Sequence, residues 1–105
     1  MPIFFNVVDV RNQLLTYGNV YTLRHKRRDG RDVAVMGTRY SFTVFADVMI
    51  EEVKPIYASW ELVPYVKFSG LKSAEQWLQL AKSFYTKDTQ LYLYRVTLIR
   101  RRMYY

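Results

Sequence analysis

The densest charge in the chain is an eight-residue run, Arg24-His25-Lys26-Arg27-Arg28-Asp29-Gly30-Arg31, in which five residues are Lys or Arg and one is acidic. Cations this closely spaced suit the holding of phosphates. Arginine adds bidentate geometry and a face that stacks on bases. The plainer alternative is a solvated turn that only aids solubility. His25, the sole histidine, is a candidate general acid or base because its unperturbed pKa lies near neutrality. A strand-edge position explains it equally well. Tyr17, Tyr21, Tyr40, Tyr57, Tyr65, Tyr92 and Tyr94 could offer stacking faces to unpaired bases. Most are better explained as core or half-buried strand residues, alternation putting Tyr40, Tyr92 and Tyr94 on apolar faces, and Tyr65 is the best candidate for a base platform.

The background in which this run sits narrows the function classes. The chain has 105 residues and a formal net charge of +7, with half its residues hydrophobic and 17% aromatic. Residues 1–105 are expected to form a single domain with one core, burying roughly two thirds of the unfolded surface. Zero cysteines exclude disulfides and Cys-ligated zinc, and one histidine excludes a two-His metal site. No cofactor or metal is expected. The N-terminus lacks a charged, signal-like region, and no stretch approaches a membrane span, so the expectation is a cytoplasmic protein with no membrane partner. The positive charge makes nucleic acid the natural partner class. Arginine concentrates in 24–39 and 95–102, stretches that a closed sheet could make neighbours.

The elements that must position these residues follow from periodicity. Val7, Val10, Leu14 and Tyr17 form a helical stripe over 7–17, with Asn6 as N-cap and Gly18 where a C′ glycine belongs. Residues 20–26 alternate: Tyr21 and Leu23 share one face, Thr22, Arg24 and Lys26 the other. Asp29-Gly30 reads as a turn into a second strand over 32–37, making the basic run a β-hairpin. Residues 40–53 form the longest strand, expected to bend or bulge and to end at Lys54-Pro55. A short helix is expected near 60–65. The strongest helix covers 73–85, with Ser73 and Gln76 as a capping box. Residues 91–100 form the last strand. Arg100-Arg101-Arg102 could extend a phosphate surface, and Tyr104-Tyr105 could serve a dimer contact.

This order, and three segments in it, resemble the ASCH domain, a small β-barrel family related to PUA. The segments are 14–24 (LLTYGNVYTLR), 46–53 (ADVMIEEV) and 68–77 (FSGLKSAEQW), the last being the most specific. The family's G-x-K-x-x-E-x-R pattern is met only in part: Gly18 is present, Val20 and Leu23 replace Lys and Glu, and Arg24 stands for the arginine in a strand one residue shorter. The resemblance implies an α+β, mostly β fold: a PUA-like barrel with an N-terminal helix and a helical insertion before the last strand. It also implies RNA binding in a cleft between barrel and insertion. Gly18, Asn19, Thr22 and Arg24 would form one wall, and Lys67, Ser69 and Gly70 the other. Some relatives hydrolyse modified cytidine with a Lys, a Thr and a Glu; here Thr22 matches, but Asn19 and Ser69 fall where the lysine and carboxylate would be. Without them the hydroxyl lacks a base to activate it.

The resulting expectation is a non-catalytic RNA-binding module, monomeric or weakly dimeric, for single-stranded or structured RNA. Phosphates would meet Arg24, Lys26, Arg27, Arg28, Arg31 and Arg39. A base or nucleotide end would enter near Asn19, Thr22, Tyr65, Lys67, Ser69 and Gly70. The alternatives are a small hydrolase or ribonuclease drawing on Thr22, Lys67 and His25, and a protein-interaction adaptor whose charge serves solubility.

Overall fold

The structure, a computed structural model, describes residues 2–85 and 88–102. Its elements run β1 (Ile3–Phe4), α1 (Val8–Tyr17), β2 (Asn19–Arg24), β3 (Gly30–Thr38), β4 (Ser41–Ile56), a 3-10 helix (Ser59–Phe68), α2 (Ala74–Ser83) and β5 (Leu91–Arg101). The strands form one curled, half-barrel sheet in the order β1-β3-β4-β5-β2. Among the described residues only the β1–β3 pair is parallel. The mixed α+β, mostly strand class agrees with the sequence reading, as do the early helix and the helical insertion before β5.

Two apolar clusters form on the two faces of this sheet. Ile3, Phe5, Val10, Leu14, Val20, Ala34, Phe45, Ile50, Tyr94 and Val96 are among the residues of one. Leu23, Ile56, Leu62, Trp77, Ala81, Leu91 and Leu93 belong to the other, under α2 and the 3-10 helix. Alternation explains the split: along β5, Tyr94 and Val96 point one way while Leu91 and Leu93 point the other. Neither face of β2 is therefore a free polar face.

Local chemistry sets the helix ends. Gly18 closes α1 in the left-handed region (φ 82°), and its N–H donates to Leu14 O at 2.9 Å. Asn6 does not cap α1. It clamps Gly37 instead, donating to its carbonyl and accepting from its N–H, each at 2.8 Å. Ser73 caps α2 by accepting from Gln76 N at 3.1 Å, but the Gln76 side chain accepts from Lys72 N (2.9 Å) rather than closing the box. Glu61 holds the start of the 3-10 helix by accepting from Tyr57 N (2.7 Å) and Ala58 N (2.9 Å).

Two strand expectations are corrected. β4 does not end at Lys54-Pro55; it runs to Ile56, with Pro55 opposite Tyr92. β3 pairs with β4 only up to Ile50, so beyond that point β4 has a free edge, where a missing N–H costs no ladder bond. The expected irregularities are present, at Asp47/Val48 and Glu52/Lys54 on the β5 side and at Ala34/Val35 against β3.

The basic run is not a hairpin. β2 pairs with β5 and β3 pairs with β4, so β2 and β3 lie on opposite sides of the sheet. Residues 25–29 form a crossover strap. The buried hydroxyl of Tyr94 accepts from Arg28 N (3.2 Å) and donates to Lys26 O (2.8 Å). Asp29 accepts from Glu52 N at 3.3 Å. Alternation identifies a strand but not its neighbour, and β2 takes β5 as its partner, from Asn19 opposite Thr97 to Arg24 opposite Tyr92.

Candidate functional site

Curling brings the two edges of the sheet together. β1 and β2 are its edge strands, yet Ile3–Phe5 and Thr22–Arg24 line the same cavity. The strap supplies His25, Lys26 and Arg28, and α2 with the residues after it supplies Trp77, Leu80, Ala81, Phe84 and Tyr85. The cavity measures about 370 Å³, near the lower bound of small-ligand sites, roughly 300–1,000 Å³. It is a seam cleft, open where the half-barrel fails to close on itself. None of the described residues lining it is acidic.

Arg24 is the chemical centre of the cleft. Its guanidinium lies over the Phe5 ring, 5.1 Å from the centroid, and Nε donates to Thr22 Oγ1 at 3.2 Å. Its two terminal nitrogens have no partner among the described residues. The residue retains some accessible surface because the cleft admits solvent. Even so, desolvation lowers its pKa to about 10, opposed by the Tyr85 phenol and reinforced by the nearby charge of Arg28. Buried cations normally have a carboxylate beside them. No carboxylate is among the charges that act on Arg24.

The strap divides the other cations of the run. Arg27 is taken by Glu52 in a bidentate pair (2.9 and 2.7 Å) and lies over the Tyr92 ring. The hydrogen bonds that Arg27 donates to Glu52 raise the Arg27 pKa and lower that of Glu52. Arg28 sits 3.7 Å from Asp32 and reaches the cleft wall. Lys26 and Arg31 are exposed, and their side chains have no partner among the described residues. His25 packs on Tyr85 with ring centroids 4.3 Å apart, and both line the cleft.

Several expected site residues lie elsewhere. Arg39 follows β3 at the far end from Gly30 and stacks on Tyr40; nine residues of strand put it about 30 Å along the chain from the strap. Asn19 is at the other end of β2 from Arg24. The second arginine-rich stretch also lies away from Arg24: Arg24 pairs with Tyr92, and β5 runs on to Arg100 beside Asp47. Arg100 and Arg102 both bind the Asp47 carboxylate, at 3.0 and 2.7 Å, and Arg95 binds Glu51 at 3.0 Å. Burial raises the Asp47 pKa, but the hydrogen bonds from Arg102 and Arg100 outweigh it and leave the value lowered. Tyr104-Tyr105 lies outside the described residues.

The second wall of the expected cleft is formed differently. Ser69 is fully buried and occupied within its own turn, donating to Val66 O (2.7 Å) and accepting from Leu71 N (3.0 Å). Gly70 (φ 82°) packs against α1 so closely that a Cβ would stand 2.4 Å from Asp9 O. Tyr65 packs on Tyr21 (4.9 Å), and Lys67 lies over Phe68 (5.0 Å). None of these four lines the seam cleft. Thr22 and His25 do line it, whereas Lys67 does not, so the three catalytic candidates are not brought together. Phe5, Trp77, Phe84 and Tyr85 take the place of the expected wall. Trp77, Ala81, Phe84 and Tyr85 recur at helical spacing, and the continuation of that spacing past Ser83 was the available signal.

Comparisons of the chain with protein-family models, with curated proteins and with solved structures found no match.

Proposed function

We propose that the protein is an RNA-binding module that receives one nucleotide of a single-stranded or structured RNA in the seam cleft, on a PUA-like scaffold of the ASCH type. One observation carries this reading: an unpaired, desolvated arginine in an acid-free cleft with aromatic walls. A guanidinium with two free nitrogens offers a fork for phosphate oxygens, and the rings supply faces for a base. Lys26 and Arg31 add exposed charge on the strap, suited to attracting the flanking phosphates. The cleft is not filled by side chains, which favours this reading over the adaptor. Thr22 Oγ1 already accepts from Arg24, and no carboxylate lines the cleft to activate it, which disfavours the hydrolase.

The test is fluorescence anisotropy with short labelled RNAs over a salt series. Binding at low salt is expected, with log K falling linearly in log salt. Lys26→Glu with Arg31→Glu should weaken binding and flatten that slope. These two residues are the informative pair because Arg27 is committed to Glu52. Absence of binding to every RNA at low salt, with folded protein, refutes the proposal.

A further inference from the structure

The cleft carries more positive charge than an internal phosphate can balance. Arg24 has two terminal nitrogens without partners among the described residues, Arg28 is near enough to act on it electrostatically, and Lys26 and His25 complete the rim. Only Arg28 has a described carboxylate close by, Asp32 at 3.7 Å. A phosphodiester contributes one negative charge, whereas a phosphomonoester contributes about 1.5 to 2 at neutral pH. Arg24 and Lys26, the cleft cations without a described carboxylate, are together best offset by the second. The remaining walls, Phe5, Trp77, Leu80, Phe84 and Tyr85, are apolar or aromatic and suit a nucleoside rather than a second phosphate.

We propose that the seam cleft binds a nucleoside phosphomonoester, with the phosphate on Arg24 and the nucleoside against Trp77, Phe84 and Tyr85, presented as the phosphorylated end of an RNA strand. This rests on the RNA-binding reading and narrows it from any nucleotide to a terminal one. The phosphate takes the two free guanidinium nitrogens, while Nε stays on Thr22 and Phe5 backs the group. Lys26, on the same rim and with no side-chain partner among the described residues, meets the second charge of the monoester.

The experiment compares one oligoribonucleotide in three forms: 5′-phosphorylated, 3′-phosphorylated, and hydroxyl at both ends. Cytidine and adenosine monophosphates are titrated beside their nucleosides by calorimetry. One phosphorylated end should bind about ten- to hundredfold more tightly than the hydroxyl form, the range set by charge-assisted hydrogen bonds. Arg24→Met should bring that ratio to about one, with hydroxyl-ended RNA weakened as well because the same guanidinium serves any nucleotide in the cleft. Arg24→Lys should keep part of the preference, since it retains charge but not the fork. A measurement on the unsubstituted protein stands beside the variants: the phosphorus resonance of a bound monophosphate should titrate at lower pH than in free solution, where its second pKa is about 6. Equal affinity for all three RNA forms overturns the terminal-phosphate inference and leaves RNA binding standing. Binding of monophosphates with no RNA binding supports the cleft chemistry, identifies a free nucleotide as its source, and overturns the RNA reading. Binding of neither overturns both.

Discussion

Tyr94→Phe is the sharpest test of how the strap is held. The Tyr94 ring is fully buried among the residues of the first cluster. Its hydroxyl is the sole side-chain tie between β5 and the backbone of residues 26–28 among the described residues, accepting from Arg28 N at 3.2 Å and donating to Lys26 O at 2.8 Å. The substitution removes one oxygen and leaves the ring packing, so cavity cost is small. Two hydrogen bonds at about 0.5–1.5 kcal/mol each give a loss of about 1–3 kcal/mol. For a domain near 100 residues each kcal/mol is worth about 4–8 °C, so Tm should fall by about 4–24 °C. Thermal melting gives the first readout and amide exchange at Arg28 the second, since that N–H loses its acceptor. Burial raises the Tyr94 pKa above its ordinary 10.0, against the hydrogen bond from Arg28 N. The folded state therefore keeps this proton longer than the unfolded chain. Its contribution is full below pH about 10 and declines as pH rises through the folded value, a decline the Phe variant should lack. A Tm within about 2 °C of the parent, with unchanged exchange at Arg28, would refute the account of the Tyr94 hydroxyl as the tie between the strap and β5.

Other expected outcomes follow from the same contacts. Gly70→Ala combines a left-handed backbone with a Cβ 2.4 Å from Asp9 O, so it should cost about 2–5 kcal/mol in chemical denaturation. Ser73→Ala removes the acceptor for Gln76 N and should cost about 0.5–2 kcal/mol, read in the same assay, with the Gln76 amide losing protection. Asp47, Glu52 and Glu61 all have lowered pKa values: Asp47 through Arg102 and Arg100 against desolvation, Glu52 through Arg27, and Glu61 through the Tyr57 and Ala58 amides. The unfolded chain then binds more protons, so their stabilisation is full above the ordinary values of 3.8 and 4.5 and is lost as pH falls through the folded values. Tm measured from pH 6 downward should drop across that window, and Asp47→Asn should make the drop shallower.

The sequence by itself determined most of the elements and their inner faces. The α1 stripe of Val10 and Leu14, the Gly18 stop and the Ser73 cap were legible because each depends on neighbours within a few residues. It also singled out Arg24 and Thr22 as residues sharing one strand face. Strand pairing was not legible in the chain, because β2 and β3, separated by five residues in sequence, are separated in the sheet by two strands. That pairing turned a presumed hairpin into a strap and committed Arg27 to Glu52. It also moved the cleft from the Lys67–Gly70 turn to the seam beside α2. The physical reason is common to all three. Charge and periodicity are local properties of the chain, but whether a cation is spent or available depends on which distant carboxylate the fold brings within about 4 Å. Glu52 reached Arg27, Asp47 reached Arg100 and Arg102, and no described carboxylate reached Arg24.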